Sequence, residues 1–184
     1  MYLPKLKKHY TETVSPALRA ELKMQNFHQI PRVSKVVVNA GLGASIEKSS
    51  IWDQAERDLS LLAAQKVVTT LASKSIAGFK IRTGMKIGQK VTIRRDRMYD
   101  FITRFVEIAV PRIRDFRGFQ ESAIDTHGNF SFGIREHTIF PEIQQSEKEA
   151  PLSLQVTIVT TAQSHEQGML LFKKLGFPFM EKDK

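Results

Sequence analysis

The chain has 184 residues, a mass of 21.0 kDa and no cysteine, so it can bury one sizeable core but has no disulfide, thiol nucleophile or thiolate zinc site. Hydrophobic residues make up 41% and charged residues 26%, which are globular values, and no apolar run approaches the length of a membrane-spanning helix. The formal net charge is +9, which favours a polyanionic partner over a basic surface kept for solubility alone.

The positive charge is concentrated in the first two thirds of the chain. Residues 1–117 have 22 basic and 10 acidic side chains, whereas residues 118–184 have 6 and 9. A surface that is merely solvated would mix the two signs more evenly. No internal repeat and no interior Pro-, Gly- or Ser-rich linker occurs, so residues 1–184 are predicted to form a single domain.

The first third predicts a broken helix, a strand and a second helix. Ser15 followed by Pro16 is typical of a helix start, and this helix should end before Pro31. Val33 to Ala40 alternates apolar and polar residues, as a half-exposed strand does. Ser50, with Asp53 three residues later, resembles a capping box for the next helix.

The middle of the chain predicts two strands that flank a long loop. Residues 65–70 form a short strand candidate, and residues 71–88 form a loop with three glycines. Residues 90–95 then predict a strand with Val91 and Ile93 inward. Asp96 should cap the following helix, whose apolar stripe comprises Met98, Phe101, Phe105 and Ile108.

The last third predicts two strands and a final helix. Residues 129–135 and 153–161 both alternate apolar and polar side chains. Ser164 and Gln167 form a capping box, and Gly176 can end the helix. Strands mixed irregularly with helices predict an α+β fold: an antiparallel sheet with helices packed on one face and the other face open.

The outward faces of these strands share one chemical character. They are rich in amides, hydroxyls and cations and contain no carboxylate; their members include Lys35, Asn39, Gln65, Lys90, Thr92, Arg94, Asn129, Ser131, Arg135, Gln155 and Thr157. Amides and hydroxyls bond ribose hydroxyls and base edges, and Arg and Lys bond phosphates. Any half-exposed sheet has a polar face, but it need not lack carboxylates. This face is therefore predicted to bind RNA.

The strongest local signal is the segment 73–97. It has eight basic residues and a single acidic residue, Asp96. Small residues and Gly78 allow backbone amides to approach a phosphate, and a loop of this length is usually functional or disordered. A nucleic-acid contact is favoured over a solvated, mobile basic loop.

Catalytic motifs are missing. The five histidines are scattered without metal-ligand spacing, and no nucleophile elbow, Walker loop or HExxH motif occurs, so no metal and no cofactor are predicted. Gly41-Leu-Gly43 follows a strand, but Ile46 occupies the third glycine position of the dinucleotide fingerprint. A nucleotide-dependent enzyme and a general single-strand binder stay as alternatives; the latter would require more exposed aromatic residues on the sheet.

Several long runs resemble one family over nearly the whole chain. They are PRVSKVVVNAGLGA (31–44), KSIAGFKIRTGMKIGQKVTIRRDRMY (74–99), AVPRIRDFRGF (109–119), GNFSFGIREHTIFPEIQ (128–144) and VTTAQ (159–163). In order and spacing they are similar to large-subunit ribosomal protein L-five of bacterial type. The resemblance implies an α+β, non-enzymatic, structural protein of the ribosome, in the cytoplasm or in an organelle.

The resemblance also implies partners. The family binds 5S rRNA and helps attach it to the large subunit in the central protuberance. It also contacts 23S rRNA, the P-site tRNA and the small-subunit protein S-thirteen at an intersubunit bridge. The resemblance implies that the bridge surface of the family corresponds to residues 111–144 of this chain.

Residue by residue, the resemblance assigns two sets of contacts. The residues expected to bind 5S rRNA are Asn39, Gln65, Thr92, Arg94, Ser131 and Arg135. The loop 73–82 is expected to face tRNA, through Lys74, Ser75, Lys80 and Arg82. Departures from the family pattern are Arg95 in place of a usual glycine, His127 in place of arginine, and the stretch 144–151 with the tail after Phe179.

Overall fold

The computed structural model describes residues 3–43, 49–143 and 151–180. In these ranges the helices are α1 Lys5–His9, α2 Ser15–Glu21, α3 Ser49–Ala63, α4 Asp96–Arg104 and α5 His165–Lys174. The strands are β1 Val33–Gly41, β2 Val68–Leu71, β3 Lys86–Ile93, β4 Phe130–Ile134 and β5 Leu154–Thr160. Within these ranges, no helix is long and apolar enough to cross a membrane.

The five strands form one antiparallel sheet in the order β2-β3-β1-β5-β4. β2 and β4 are therefore the edge strands. β2 pairs antiparallel with β3, with Val68 opposite Lys90 and Thr70 opposite Gly88. The α+β class predicted from the sequence is confirmed.

Each strand follows the alternation that its sequence predicts. In β1, Val36, Val38 and Ala40 are buried, while Lys35 and Asn39 on the other face are only half-buried. β4 buries its two phenylalanines and Ile134, and β5 buries every second residue from Leu154. The apolar side of each strand is thus the side that joins a core.

The opening helix is continuous, which corrects the predicted break at Ser15. A wide π-helical turn, Tyr10–Val14, joins α1 to α2, and Val14 and Ser15 both have right-handed helical backbone angles. Ser15 is buried inside the helix and makes no capping hydrogen bond. Pro16 removes one backbone donor, and a π turn shifts the local hydrogen-bond ladder so that the helix continues past it.

Two other predicted caps are also wrong. α3 already includes Ser49, so Ser50 lies inside the helix and is not its N-cap. Asp96 is the first residue of α4 and not its cap; its Oδ1 instead accepts a 2.7 Å hydrogen bond from Lys7 Nζ. Both errors arise because a capping signature also fits the first turn of a helix, where acidic side chains are favourable.

The start of β3 and the end of α4 both differ from the prediction. β3 begins at Lys86 and not at Lys90, so the β2–β3 connection is residues 72–85. α4 passes into a π turn, Phe105–Ala109, which rotates the chain so that Ile108 is 41% exposed while Ala109 is buried. The predicted apolar stripe therefore holds for Met98, Phe101 and Phe105 only.

The predicted cap of α5 is confirmed. Ser164 Oγ accepts a hydrogen bond from Gln167 N at 3.3 Å, and Gln167 Oε1 accepts one from Gln163 N at 3.0 Å. At the other end Gly176 has φ +86°, and Phe177 N bonds Phe172 O at 3.1 Å. This is a Schellman-type end, which requires the positive φ that glycine adopts without strain.

The chain folds into two compact units. The first comprises residues 1–36, 93–132 and 157–184. Its core is a cluster of phenylalanine rings: Phe105 stacks on Phe132 with centroids 4.6 Å apart, and Phe130 meets Phe172 at 5.2 Å. Phe119 and Phe177 also belong to the cluster.

The second unit comprises residues 37–92 and 133–156. Its core joins α3 to the buried face of the strands, with Leu59, Leu62 and Val91 all at most 1% exposed. Gln89 Nε2 donates a 3.2 Å hydrogen bond to Trp52 O, which fixes β3 to α3. The single domain predicted for residues 1–184 stays a prediction.

Candidate nucleic-acid interface

The strands form a surface without carboxylates. None of the five strands, as the structure bounds them, contains Asp or Glu, whereas β1 and β3 together contain three lysines. A strand without acidic side chains leaves its outward face neutral or positive. Such a face attracts a polyanion and does not repel it.

Four of the predicted 5S rRNA residues lie in the second unit: Asn39, Gln65, Thr92 and Arg135. Asn39 is half-buried on the outward face of β1, and its side chain makes no hydrogen bond within the described ranges. Arg135 is exposed directly after β4. Both side chains can therefore bond a ligand without breaking a contact inside the described part of the chain.

The structure brings Gln65 and Thr92 together. Gln65 Nε2 donates a 2.8 Å hydrogen bond to the backbone oxygen of Thr92. This bond orients the amide and leaves its carbonyl oxygen as an acceptor and its second N–H as a donor. Gln65 thus has an internal role in holding the segment before β2 against β3.

The other two predicted residues, Arg94 and Ser131, lie in the first unit. Arg94 is exposed immediately after β3. Ser131 Oγ lies 3.1 Å from Thr157 Oγ1 across β4 and β5, so the two hydroxyls share a hydrogen bond. Each hydroxyl keeps acceptor capacity toward the outside.

An open depression lies over the outward face in the second unit. It has a volume of about 490 Å³. Asn39, Gly41, Gly133, Arg135 and Gln155 are among its lining residues. Ser153 also lines it, and its Oγ donates a 3.1 Å hydrogen bond to the backbone oxygen of Arg135.

The segment 73–82 is the end of the β2–β3 hairpin and not an irregular loop. Ile76 and Ile81 exchange two backbone hydrogen bonds, of 2.9 and 3.2 Å, around a single 3-10 turn, Ala77–Phe79. Lys80 closes the turn with φ +54°. Phe79 at the tip is 74% exposed. The hairpin therefore presents an aromatic ring at its end.

Three cations surround this tip: Lys74, Lys80 and Arg82, hereafter the hairpin cations. All three are exposed, and the hairpin between them contains no acidic residue. Ser75, the fourth residue predicted to face tRNA, accepts a 3.0 Å hydrogen bond from Thr83 N and so also braces the hairpin.

Sequence reasoning missed one buried polar pair, that of His137 with Asp58. Both residues are at most 3% exposed, and His137 Nε2 lies 3.0 Å from Asp58 Oδ2. Leu152 N donates to His137 Nδ1 at 3.2 Å, so Nε2 is the ring nitrogen that has the proton. The pair ties the segment between β4 and β5 to α3 within the second unit.

The Asn129 side chain makes hydrogen bonds inside the protein, to Asp125 and Thr160. Burial raises the pKa of the Asp125 carboxyl. Hydrogen bonds from the Asn129 side chain and from the backbone of Asn129 and His127 lower this pKa by more than burial raises it. The net pKa therefore lies below the usual value. Asn129 Oδ1 in turn accepts a 3.0 Å bond from Thr160 N, so its amide is a structural brace.

No candidate metal site occurs in the described part of the chain. Among the residues that the structure describes, no group of three His, Asp or Glu side chains could hold a metal ion.

Two family models match the chain. "Ribosomal protein L5" matches residues 26–82, and the model for the C-terminus of the same ribosomal family matches residues 86–179. Proteins named large ribosomal subunit protein uL5 are similar over nearly the full length. That of Herpetosiphon aurantiacus is 47% identical over 97% of this chain and 100% of its own. Those of Desulfatibacillum aliphaticivorans and Synechococcus sp. (strain CC9605) are 49% and 47% identical over 95% of this chain and 97% of theirs.

The class is therefore that of structural, non-enzymatic proteins of the large ribosomal subunit in the cytoplasm. Within that class, the chain belongs to the ribosomal protein L5 family. The family predicted from the sequence is confirmed, and the alternative of a nucleotide-dependent enzyme is wrong.

Proposed function

We propose that this chain binds 5S rRNA through the outward faces of its strands and helps attach that RNA to the large subunit in the central protuberance. The absence of carboxylates from all five strands, as the structure bounds them, is the observation that carries the proposal. Asn39, Gln65, Thr92 and Arg135 in the second unit offer amides, a hydroxyl and a cation. Arg94 and Ser131 offer the same kinds of group in the first unit.

The hairpin is proposed to contact the P-site tRNA. Its three cations are exposed without an acidic neighbour in the hairpin sequence, and Phe79 at its tip can pack on a ribose or a base. Contacts with 23S rRNA and with the small-subunit protein S-thirteen at the intersubunit bridge, near residues 111–144, complete the proposal. For these two partners the family resemblance is the support.

Asn39→Ala tests the 5S rRNA contact. The side chain makes no bond within the described protein, so its loss should leave the fold intact. Removal of one partner of a buried hydrogen bond in the complex should weaken binding by about 1–3 kcal/mol. A filter-binding titration with 5S rRNA measures the change.

Gln25→Ala is the matched control, because it truncates an exposed amide outside the strands. It should bind 5S rRNA as the unchanged protein does. An unaltered affinity in Asn39→Ala would remove that residue from the interface.

The unchanged protein should also lose affinity as salt rises, by about 0.7–0.9 in log affinity per log salt for each phosphate contacted. A salt-independent affinity would contradict an RNA backbone contact.

A further inference from the structure

An apolar groove lies beside α2 in the first unit. It has a volume of about 420 Å³, which is typical of a ligand-binding cleft. Pro16 and Ala20, both exposed and four residues apart on α2, line it from the helix. Met24, Phe27 and Ile30 line it from the segment that follows. The RNA contacts proposed above involve none of these side chains.

Hydrogen bonds hold the groove in shape. The Arg19 guanidinium donates to Met24 O at 3.3 Å and to Gln25 O at 3.1 Å, and Met24 N donates to Arg19 O at 3.1 Å. Asn26 Oδ1 then accepts a 2.9 Å hydrogen bond from His28 N at the start of a 3-10 turn. These bonds fix the segment against the end of α2. A partner would therefore meet a formed groove and lose little free energy in ordering it.

The ring of Phe27 is uncovered beside this groove. Its side chain is 58% exposed, although burial of a phenylalanine ring is strongly favourable. Phe130 and Phe172 in the same unit are fully buried, so the unit has a core that accepts such rings. Exposed aromatic side chains are enriched in binding surfaces, where a partner covers them. Phe27 therefore has the properties of an anchor for a partner.

The charged side chains that line the groove are both cations, Arg19 and Lys23, and no carboxylate is among the described lining residues. Glu21 on α2 is paired with Lys174 of α5 at 2.7 Å. Lys23 makes no ion pair within the described ranges. The groove thus places positive charge beside apolar surface, which complements an apolar side chain flanked by carboxylates.

RNA fits this groove less well than it fits the strands. The described lining residues include no amide side chain, and their only hydroxyl, that of Ser15, belongs to a residue that is 1% exposed. Ribose hydroxyls and base edges would therefore find few hydrogen-bond partners. An amphipathic helix, in contrast, recognises a groove through apolar side chains three or four residues apart.

We propose that the groove beside α2 is a docking site for a protein partner, namely an amphipathic helix with an apolar stripe and flanking Asp or Glu side chains. Apolar side chains of the partner lie against Ala20, Met24 and Phe27, and a carboxylate of the partner pairs with Lys23. This interaction goes beyond the proposed RNA contacts and does not depend on them.

A labelled peptide of about 15 residues, with leucine or phenylalanine at every third or fourth position and glutamate between, tests the proposal. Fluorescence polarisation measures its binding to the full chain. Phe27→Ala and Lys23→Glu should each lower the affinity about tenfold. A peptide with lysine in place of glutamate, or alanine in place of the apolar residues, should bind more weakly by a similar factor.

Phe79→Ala and Lys66→Glu are the matched controls, because they remove an exposed ring and reverse an exposed lysine outside the groove. Both should bind the peptide as the unchanged protein does. Circular dichroism should show that all four variants melt as the unchanged protein does, since the altered side chains are exposed. Phe27→Ala should also retain its affinity for 5S rRNA.

Three outcomes would overturn the inference. Equal binding of the peptide by the groove variants and the controls would mean general attraction to a basic chain. Failure of both the leucine and the phenylalanine peptide to bind at millimolar concentration would mean that the groove does not accept such a helix. If no peptide binds and Phe27→Ala weakens binding to deproteinised 23S rRNA, the groove is an RNA contact.

The proposed binding of 5S rRNA stands in all three cases, because it is measured separately on the unchanged protein. If Phe27→Ala lowers the melting temperature, the comparison of Lys23→Glu with Lys66→Glu decides the result.

Discussion

Arg95 has a backbone conformation that favours glycine, and its replacement should stabilise the protein. The residue precedes α4 with φ +57° and ψ −136°, and its side chain makes no capping hydrogen bond. A side chain at this position crowds the adjacent backbone, and such strain costs about 1–3 kcal/mol. The family resemblance described above also implies a glycine at this position.

Arg95→Gly should therefore raise the free energy of unfolding. Release of strain contributes about 1–3 kcal/mol, and the greater freedom of glycine in the unfolded chain offsets about 0.5–1 kcal/mol of it. The net gain is about 1 kcal/mol, or about 2–4 °C in melting temperature for a chain of this size. Urea unfolding followed by circular dichroism measures it.

Arg95→Ala separates strain from charge. Both variants remove the same cation, so a change in 5S rRNA affinity common to the two belongs to the charge. Alanine retains a Cβ and hence the strain, so only the glycine variant should gain stability. An Arg95→Gly protein no more stable than Arg95→Ala would refute the reasoning.

Four further outcomes are expected. Alanine at all three hairpin cations should weaken P-site tRNA binding by assembled ribosomes while changing stability by about 0.5 kcal/mol at most; loss of 5S rRNA binding instead would contradict the tRNA contact. His137→Ala should lower unfolding free energy by about 3 kcal/mol because Asp58 loses a buried partner, and His137→Gln by less; equal losses would deny the hydrogen bond a role. Gly88→Ala should destabilise by about 1–3 kcal/mol in urea, since its Cβ would lie 2.7 Å from Ala40 O. Burial raises the pKa of Tyr10 to about 12. The neutral phenol therefore contributes its full stability below pH 10, and this contribution is lost as the pH rises toward 12. Tyr10→Phe should show a smaller loss of stability at alkaline pH.

The strands and their faces could be predicted from sequence because alternation depends on neighbours two residues apart. Residues 33–40 differ from the observed β1 by one residue, and the inward and outward assignments in β4 and β5 agree with the burial found. The open face and its missing carboxylates followed from the same pattern. Sequence reasoning therefore described the candidate interface one strand at a time.

What sequence reasoning missed depends on contacts distant along the chain or on irregular helical turns. The pair of His137 with Asp58 joins residues 79 positions apart, and no spacing rule indicates it. The π turns after His9 and Arg104 rotated the later residues, so that Ser15 became an interior residue and Ile108 became exposed.

The position of β2 at the sheet edge has a consequence for the protein before it meets any RNA. An edge strand offers unpaired backbone groups to a second copy, and Val68 and Leu71 on β2 are 59% and 58% exposed. Such a strand tends to self-associate. Exposed Lys66 and Lys74 on either side of it, within a chain of net charge +9, make two copies repel each other. The same lysines that suit an RNA partner therefore also oppose self-association through β2. This effect weakens as ionic strength rises, because salt screens the repulsion.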